Sequence, residues 1–382
     1  MSDYAYSKEQ LAFAESFSAF CAKEVAPHAA EADKTATFPR KSFEALAKFG
    51  YLALPIREAY GGQHESSDPV IRCLAQEIVA KSCPATFFVC GASNGLFALP
   101  LQLFGSDTLK QRWLPKIADG SAIGAMALTE PHAGSDAAAI KTRAVKKGDR
   151  WHLTGTKTFI TNAPVADVFL VHAVTDPAAG PLGVTSFVVE KASKGLSVGK
   201  PMEKLGMRGS PTAEVFLDEC EVSDENVIGQ PGQGFLLAMQ TLEWGRVGIA
   251  NFCVGIAQAC LDDSIRYAHE RRAFGRPIAG FGDVRSMIAE MGLSIEVARR
   301  FAYRVAWTKE NVGPCPSEAS ALKLYASEAG MRTAHAAVQV HGGMGYIAET
   351  RVERLFRDIR IAEIGEGTSE IQRHILAKDV LA

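Results

Sequence analysis

Over the first third of the chain, apolar residues recur at spacings of three and four. Leu11, Ala14, Phe17, Cys21 and Val25 form the first such stripe, the period of a helix with one buried face. Pro27, Pro39, the pair Gly61-Gly62 and Pro84 divide this region into separate helices. From about residue 123 the period falls to two. Trp151-His152-Leu153-Thr154-Gly155-Thr156 alternates, and Val168-Phe169-Leu170-Val171 and Thr185-Ser186-Phe187-Val188-Val189 are short buried runs separated by turns such as Asp176-Pro177 and Gly180-Pro181. These features predict strands of a small sandwich or barrel. Helical patterning returns at about residue 233. Ile249, Phe252, Cys253, Ile256, Cys260 and Ile265 make one stripe, and Val284, Met287, Ile288, Met291 and Ile295 a second, with Pro314 and Pro316 as later breaks. There is no internal repeat and no low-complexity segment. The expected fold class is α+β multidomain: a helical domain over residues 1–122, a β domain over 123–232 and a helical bundle over 233–382.

With 382 residues, 47% hydrophobic and 22% charged, the chain can bury a sizeable core in two or three domains. A formal net charge of −2 argues against a nucleic-acid partner or a polybasic membrane surface, and pairs such as Lys146-Lys147 read as solvated surface. Because no apolar run reaches the roughly 18 residues needed to cross a bilayer, no membrane span is expected. Met1-Ser2-Asp3-Tyr4 opens neither a secretory signal nor an Arg-rich transit peptide. The cysteines (Cys21, Cys73, Cys83, Cys90, Cys220, Cys253, Cys260 and Cys315) are scattered, with no two-residue-gap pair. Reduced, buried thiols in a cytoplasmic protein are therefore expected, rather than metal ligands.

Three segments carry chemistry. Gly365-Glu366-Gly367-Thr368-Ser369 places a carboxylate between two glycines, just ahead of a helix containing Ile371, Ile375 and Leu376 that Thr368 or Ser369 would cap. A ligand can approach such a loop closely, which suits a general base, although the same residues alone would also serve as a solvated turn. Ala-Leu-Thr-Glu-Pro-His-Ala-Gly-Ser-Asp at 127–136 falls where helical texture gives way to β; its small and hydroxyl residues let backbone N–H groups approach a flat, polar-edged ligand. Downstream, Lys157-Thr158-Phe159-Ile160-Thr161-Asn162 offers an aromatic face and a hydroxyl.

At these residues the sequence resembles the acyl-CoA dehydrogenase family of flavoproteins, over nearly the whole chain. The family's signatures stand as Leu-Thr-Glu-Pro-His-Ala-Gly-Ser-Asp (128–136), Lys-Leu-Gly-Met-Arg-Gly-Ser-Pro-Thr (204–212), Glu-Arg-Arg-Ala-Phe-Gly-Arg-Pro-Ile (270–278), Gln-Val-His-Gly-Gly-Met-Gly-Tyr (339–346) and Glu-Gly-Thr-Ser-Glu-Ile-Gln-Arg (366–373). The resemblance implies a C-terminal four-helix bundle, assembly as a homotetramer, and FAD between the β domain and the bundle. It would place Met126, Leu128, Thr129, Gly134, Ser135, Phe159 and Thr161 around the flavin, Ser135 also near the substrate. Arg271, Phe274, Gln339 and Gly343 would reach the FAD of a neighbouring subunit. Thr368 would contact the pyrophosphate end, and Glu370 would also lie at the cofactor. Arg271 and Arg272 by themselves would read as a solvated helix face, but a guanidinium matches a phosphate well. His341 reads as a packed helical residue, and Gly342, Gly343 and Gly345 as a helix start at a cofactor.

The implied activity is α,β-dehydrogenation of an acyl thioester to the 2-enoyl product, with Glu366 taking the α proton and hydride passing to the flavin N5. Electrons would leave to an electron-transfer flavoprotein. Some relatives carry the base on the first bundle helix, immediately before the arginine matching Arg246; here that position is Gly245, so Glu366 has no rival. The resemblance puts Glu243 near the pantetheine arm, while Arg246 would orient substrate or base, or else form a structural ion pair. Two departures stand out. Gly365 replaces an aromatic residue, which widens the acyl pocket, and Phe281-Gly282 stands where many relatives have a Gln touching the neighbouring FAD. The short-chain and branched-chain subfamilies look nearest. Alternatives on the same fold are oxidation of an acyl or aminoacyl group tethered to a carrier protein, and flavin-dependent monooxygenation.

Overall fold

The computed structural model describes residues 6–65 and 67–381; the Met1–Tyr4 segment lies outside them. The first part is helical: α1 (Lys8–Glu24), α2 (Ala29–Thr35), α3 (Arg40–Phe49), α4 (Pro69–Ser82), α5 (Pro84–Gly91), α6 (Leu99–Phe104) and α7 (Asp107–Ala118). Local chemistry sets these boundaries. Ser7 and Gln10 form a reciprocal capping box at the start of α1. Asp68 caps α4 ahead of Pro69, and Gly50 ends α3 in a left-handed conformation. The α1 stripe buries Phe17 and Cys21 with Val25 just beyond, but Leu11 stays 53% exposed. Ala14 and Phe13 pack onto the core beside them, so the predicted face is the buried one except at its first residue.

A π-helical turn, Ala92–Ala98, joins α5 to α6. The resulting helix Pro84–Phe104 has 21 residues and a mean hydropathy of 1.5, long and apolar enough to cross a membrane. This corrects the expectation that no run reaches that length. Of its most apolar window 61% is buried inside the protein, with Phe97, Ala98 and Leu101 fully enclosed, as in a core helix.

The middle part is one curled sheet of β1 (Gly124–Ala127), β2 (Arg143–Lys147), β3 (Arg150–Thr161), β4 (Val168–Val174), β5 (Val184–Glu190), β6 (Leu196–Val198), β7 (Thr212–Ser223) and β8 (Val227–Ile228). The strand order is β6-β7-β3-β2-β4-β5-β8, with β1 parallel to β4 in the register Gly124↔Val168. Irregularities between Lys157 and Ile160 bend β3 where it meets β7. The curl brings Trp151 of β3 edge-on to Phe187 of β5, with ring centres 5.5 Å apart.

Long helices α8 (Gly234–Glu270), α9 (Gly282–Asn311) and α10 (Pro316–His341) follow, then α11 (Arg351–Ile359) and α12 (Ser369–Val380); β9 (Arg272–Ala273) and β10 (Arg276–Pro277) form a hairpin after α8. Helix α4 packs against α8 so closely that a Cβ at Gly255 would run into the Glu77 carbonyl. Arg299 of α9 holds the Glu77 carboxylate with two bonds, at 2.6 and 3.0 Å. One core therefore runs from α1 through α4 to the bundle, including Phe17, Val79, Phe252, Leu322 and Leu355.

Candidate active site

A cleft of about 860 Å³ opens where the 128–135 loop, the end of β3, the first half of α8 and the 364–368 loop converge, with residues of α4, α5 and the 204–212 loop completing its lining. Met126, Leu128, Thr129, Gly134, Ser135, Phe159 and Thr161 line it, as do Arg246, Gly365, Glu366 and Thr368.

A buried ion pair shapes one wall. Lys157, without exposure, donates to Glu130 Oε1 at 2.8 Å and to the Leu128 carbonyl at 3.0 Å. Glu130 also accepts from the Lys141 and Thr142 N–H groups, at 2.7 and 2.9 Å. Burial pulls the Lys157 ammonium down to about 8, while the Lys157 charge and these donors hold the Glu130 carboxyl below its ordinary value despite its desolvation. This pair ties β3 to the loop that carries Thr129, Gly134 and Ser135. Two residues after Lys157, Phe159 takes φ +57 and leaves its ring 67% exposed. A large apolar ring held open in a left-handed conformation is costly unless something covers it.

The opposite wall is the 364–368 loop. The Gly365 N–H donates to the Ile361 carbonyl at 2.8 Å, and Glu366 itself has φ +55. Lys323 Nζ and Gln372 Nε2 both donate to the Gly367 carbonyl, at 2.7 and 2.9 Å. Thr368 caps α12 by accepting from the Ile371 N–H; of the two candidate caps, it is the one used. Glu366 Oε2 is buried with no hydrogen-bond partner. Desolvation pushes this carboxyl up to about 7, partly opposed by the charges of Lys323 and Arg246. Arg246, also buried, donates to Ser320 Oγ at 3.3 Å and leaves its Nε unpartnered; desolvation lowers it, against the pull of Glu366 and Glu243. Gly245 lies directly under Glu366, and a Cβ there would overlap Oε2.

Other sequence-derived candidates fall elsewhere. Glu243 is buried away from the cleft: Lys309 pairs with its carboxylate at 2.7 Å and the Cys315 N–H donates to it at 2.7 Å, so it bridges α8 to the α9–α10 junction. Arg271, Phe274, Gln339, Gly343 and Glu370 are exposed and do not line the cleft. Arg271 and Arg272 stand past the end of α8, in the hairpin, rather than on a helix face. The glycines at 342–345 begin no α-helix: α10 ends at His341, Gly342, at φ +58, terminates it, and a short 3-10 turn starts there and runs to Tyr346. His341 is packed, with its ring stacked on Tyr267 and bonded to the Ala337 carbonyl. Phe281 precedes α9 under the Arg276 guanidinium.

Sequence reasoning missed the Lys157–Glu130 pair and Lys323. A signal existed for the latter, since Lys323 interrupts the apolar stripe Ala319, Leu322, Ala326 on α10. Among the described residues no group of three His, Cys, Asp or Glu is placed to hold a metal.

The residues present fit the flavin that the resemblance implies. The exposed Phe159 ring offers a stacking face, Ser135 and Thr161 offer hydroxyls at the wall, and a Cβ at Gly134 would meet nothing within 4 Å. The start of α12 opens on the cleft at Thr368, where an anionic group is favoured.

Comparison with known proteins agrees. Acyl-CoA dehydrogenase N-terminal, middle and C-terminal domain models match residues 7–121, 125–220 and 232–381. The human short-chain specific acyl-CoA dehydrogenase, mitochondrial, is 42% identical over 362 residues, covering 95% of this chain and 87% of that protein. Butyryl-CoA dehydrogenase from Megasphaera elsdenii superposes with a TM-score of 0.96 at 35% identity, over 100% of both chains. A prolyl acyl carrier protein oxidase, AnaB, superposes with a TM-score of 0.95 at 36% identity, over 98% of this chain and 100% of that one. The ordered motifs, the three-part fold and the cleft converge on one conclusion: the chain belongs to the acyl-CoA dehydrogenase family and is an FAD-dependent oxidoreductase.

Proposed function

We propose that this enzyme dehydrogenates an acyl thioester between its α and β carbons, with Glu366 as the base that takes the α proton. One observation carries the reading: a cleft-lining carboxylate with a buried, unpartnered Oε2, held up to about 7. A base tuned near the working pH couples a large ionised fraction to a strong proton affinity. The empty position at Gly245 leaves Oε2 unobstructed. The Glu366 backbone N–H is the proposed donor to the thioester carbonyl, making the α hydrogen more acidic. The Arg246 charge favours the ionised form of Glu366, the form that accepts the proton. Bound FAD would rest on Phe159, Thr161 and the 126–135 segment, and would supply the acceptor for the β hydrogen as hydride.

The likeness to butyryl-CoA dehydrogenase supports a short acyl chain on CoA, and Gly365 supports tolerance of a branch. Arg271, Phe274, Gln339 and Gly343, exposed and outside the cleft, support contact with a neighbouring copy, as in a tetramer; Phe274 is 96% exposed. An electron-transfer flavoprotein is the proposed acceptor, supported by the likeness, with a TM-score of 0.96, to a chain from the structure of the Acidaminococcus fermentans electron transferring flavoprotein. The likeness to AnaB favours a second reading, in which the thioester hangs from a carrier protein.

The test is anaerobic bleaching of the yellow enzyme by a panel of acyl thioesters. Glu366→Gln should keep its FAD and lose bleaching; full bleaching by that variant overturns the assignment. The same acyl group offered on CoA and on a carrier protein separates the two readings.

A further inference from the structure

Lys323 has no exposed surface, yet its ammonium ends on a single backbone oxygen, that of Gly367, at 2.7 Å. A buried lysine without a paired carboxylate is an expensive way to fill space that a methionine would fill. Its environment shows the strain: burial pulls it down to about 8, with Cys253, Glu366 and Glu370 favouring its charge and Arg246 opposing it. The bond lands on the residue immediately after Glu366, in a segment where Glu366 holds φ +55 and Gly367 φ +93. A non-glycine residue does not keep that conformation without support. The support is concentrated on the Gly367 carbonyl, where Lys323 from α10 and Gln372 from α12 converge, and Gln372 also donates to the Glu366 carbonyl at 3.3 Å.

We propose that Lys323 is the positioning residue of the catalytic loop: its ammonium pins the Gly367 carbonyl, fixes the left-handed turn that aims Glu366 over Gly245, and places a positive charge behind the base. This rests on the reading of Glu366 as the base. The charged groups around that carboxylate are Arg246 from α8 and Lys323 from α10, with Glu243 beyond Arg246 and Glu370 of α12 and Cys253 of α8 beyond Lys323. Arg246 faces the cleft; Lys323 bonds the loop from the core side. Of the two cations, only Lys323 therefore couples the loop's geometry to the base's proton affinity.

The test uses FAD-loaded Lys323→Met, Lys323→Gln and Lys323→Arg enzymes. Two quantities are read: the pH profile of anaerobic bleaching, and hydrogen exchange of the amides at 364–368. Removing the charge should move the acid limb of the profile to higher pH, on the order of one unit. Lys323→Met should also speed exchange in that loop while the rest of the bundle is unchanged, and Lys323→Arg should restore both. Should Lys323→Met not fold, Lys323→Gln carries the same prediction for the limb, since it removes the charge and keeps an N–H donor. A uniform loss of rate with an unmoved acid limb overturns the proposal, as does unchanged exchange at 364–368. Wild-type enzyme that no thioester bleaches would instead overturn the base assignment, and loop exchange would still decide what Lys323 holds.

Discussion

Gly245 and Glu366 occupy one space: any Cβ on residue 245 would overlap the Glu366 Oε2. The atom displaced is the tip of a side chain, so the backbone need not move. Gly245→Ala should therefore fold and keep FAD, and its thermal stability should change little, since alanine also favours the helix by about 0.5–1 kcal/mol. Bleaching should slow by roughly 10²–10⁴-fold, the range for a misplaced general base. An alanine variant that bleaches at the wild-type rate would show that Glu366 has room elsewhere.

The Glu366 carboxyl also links stability to pH. Its folded value of about 7 lies above its ordinary 4.5. The folded state therefore binds more protons between those values, and stability falls as pH rises through that window. In Glu366→Gln that dependence disappears. Melting curves should show the variant gaining on the wild type by a few degrees between pH 5 and pH 8. A constant difference across the range would mean that the carboxyl titrates normally. In the wild type, bleaching should rise with pH through about 7, as the base ionises.

Lys157→Met should cost stability sharply. It leaves the Glu130 carboxylate buried with the Lys141 and Thr142 N–H groups as its close donors. Breaking one side of a buried pair costs about 3–5 kcal/mol, and thermal melts should fall accordingly. FAD should be lost more readily, because the 128–135 wall loses its tie to β3. Adding Glu130→Gln should recover part of the melting temperature.

Gly365→Tyr tests the acyl pocket. A Cβ at 365 meets the Ile361 carbonyl at 3.4 Å, an ordinary contact, so the backbone there need not move. Rates with branched or bulky thioesters should drop at least tenfold relative to butyryl-CoA. Equal losses across the panel would place the ring outside the acyl path.

Much of this molecule can be read from its sequence because the strongest signals there are local. Period three-to-four stripes produced α1, α8 and α9, and alternation produced β3. The cleft wall from Met126 to Ser135 and the Glu366 loop also lie in continuous motifs. What could not be read depends on partners distant in the chain. Glu130 meets Lys157 only because β3 folds beside the 128–135 loop. Lys323 meets Gly367 across 44 positions, and nothing near either residue announces the other. Glu243 depends on a distant partner in the same way: its neighbours Leu242 and Trp244 line the cleft, while its own carboxylate meets Lys309. Gly342 shows a subtler limit, since a glycine run signals a helix boundary without saying which end of the helix it marks.

All eight cysteines are free and buried, and desolvation pushes their thiols up, with Cys21, Cys73 and Cys253 at about 12. Thiolate is the species that reacts with alkylating reagents. The native chain is thus a nearly silent background for maleimide chemistry. A single cysteine placed on an exposed residue, Leu182 for instance at 76% exposure, should be the one site that takes a fluorophore, with none of the native thiols removed. The packing of the core makes the protein ready for spectroscopic labelling as it stands.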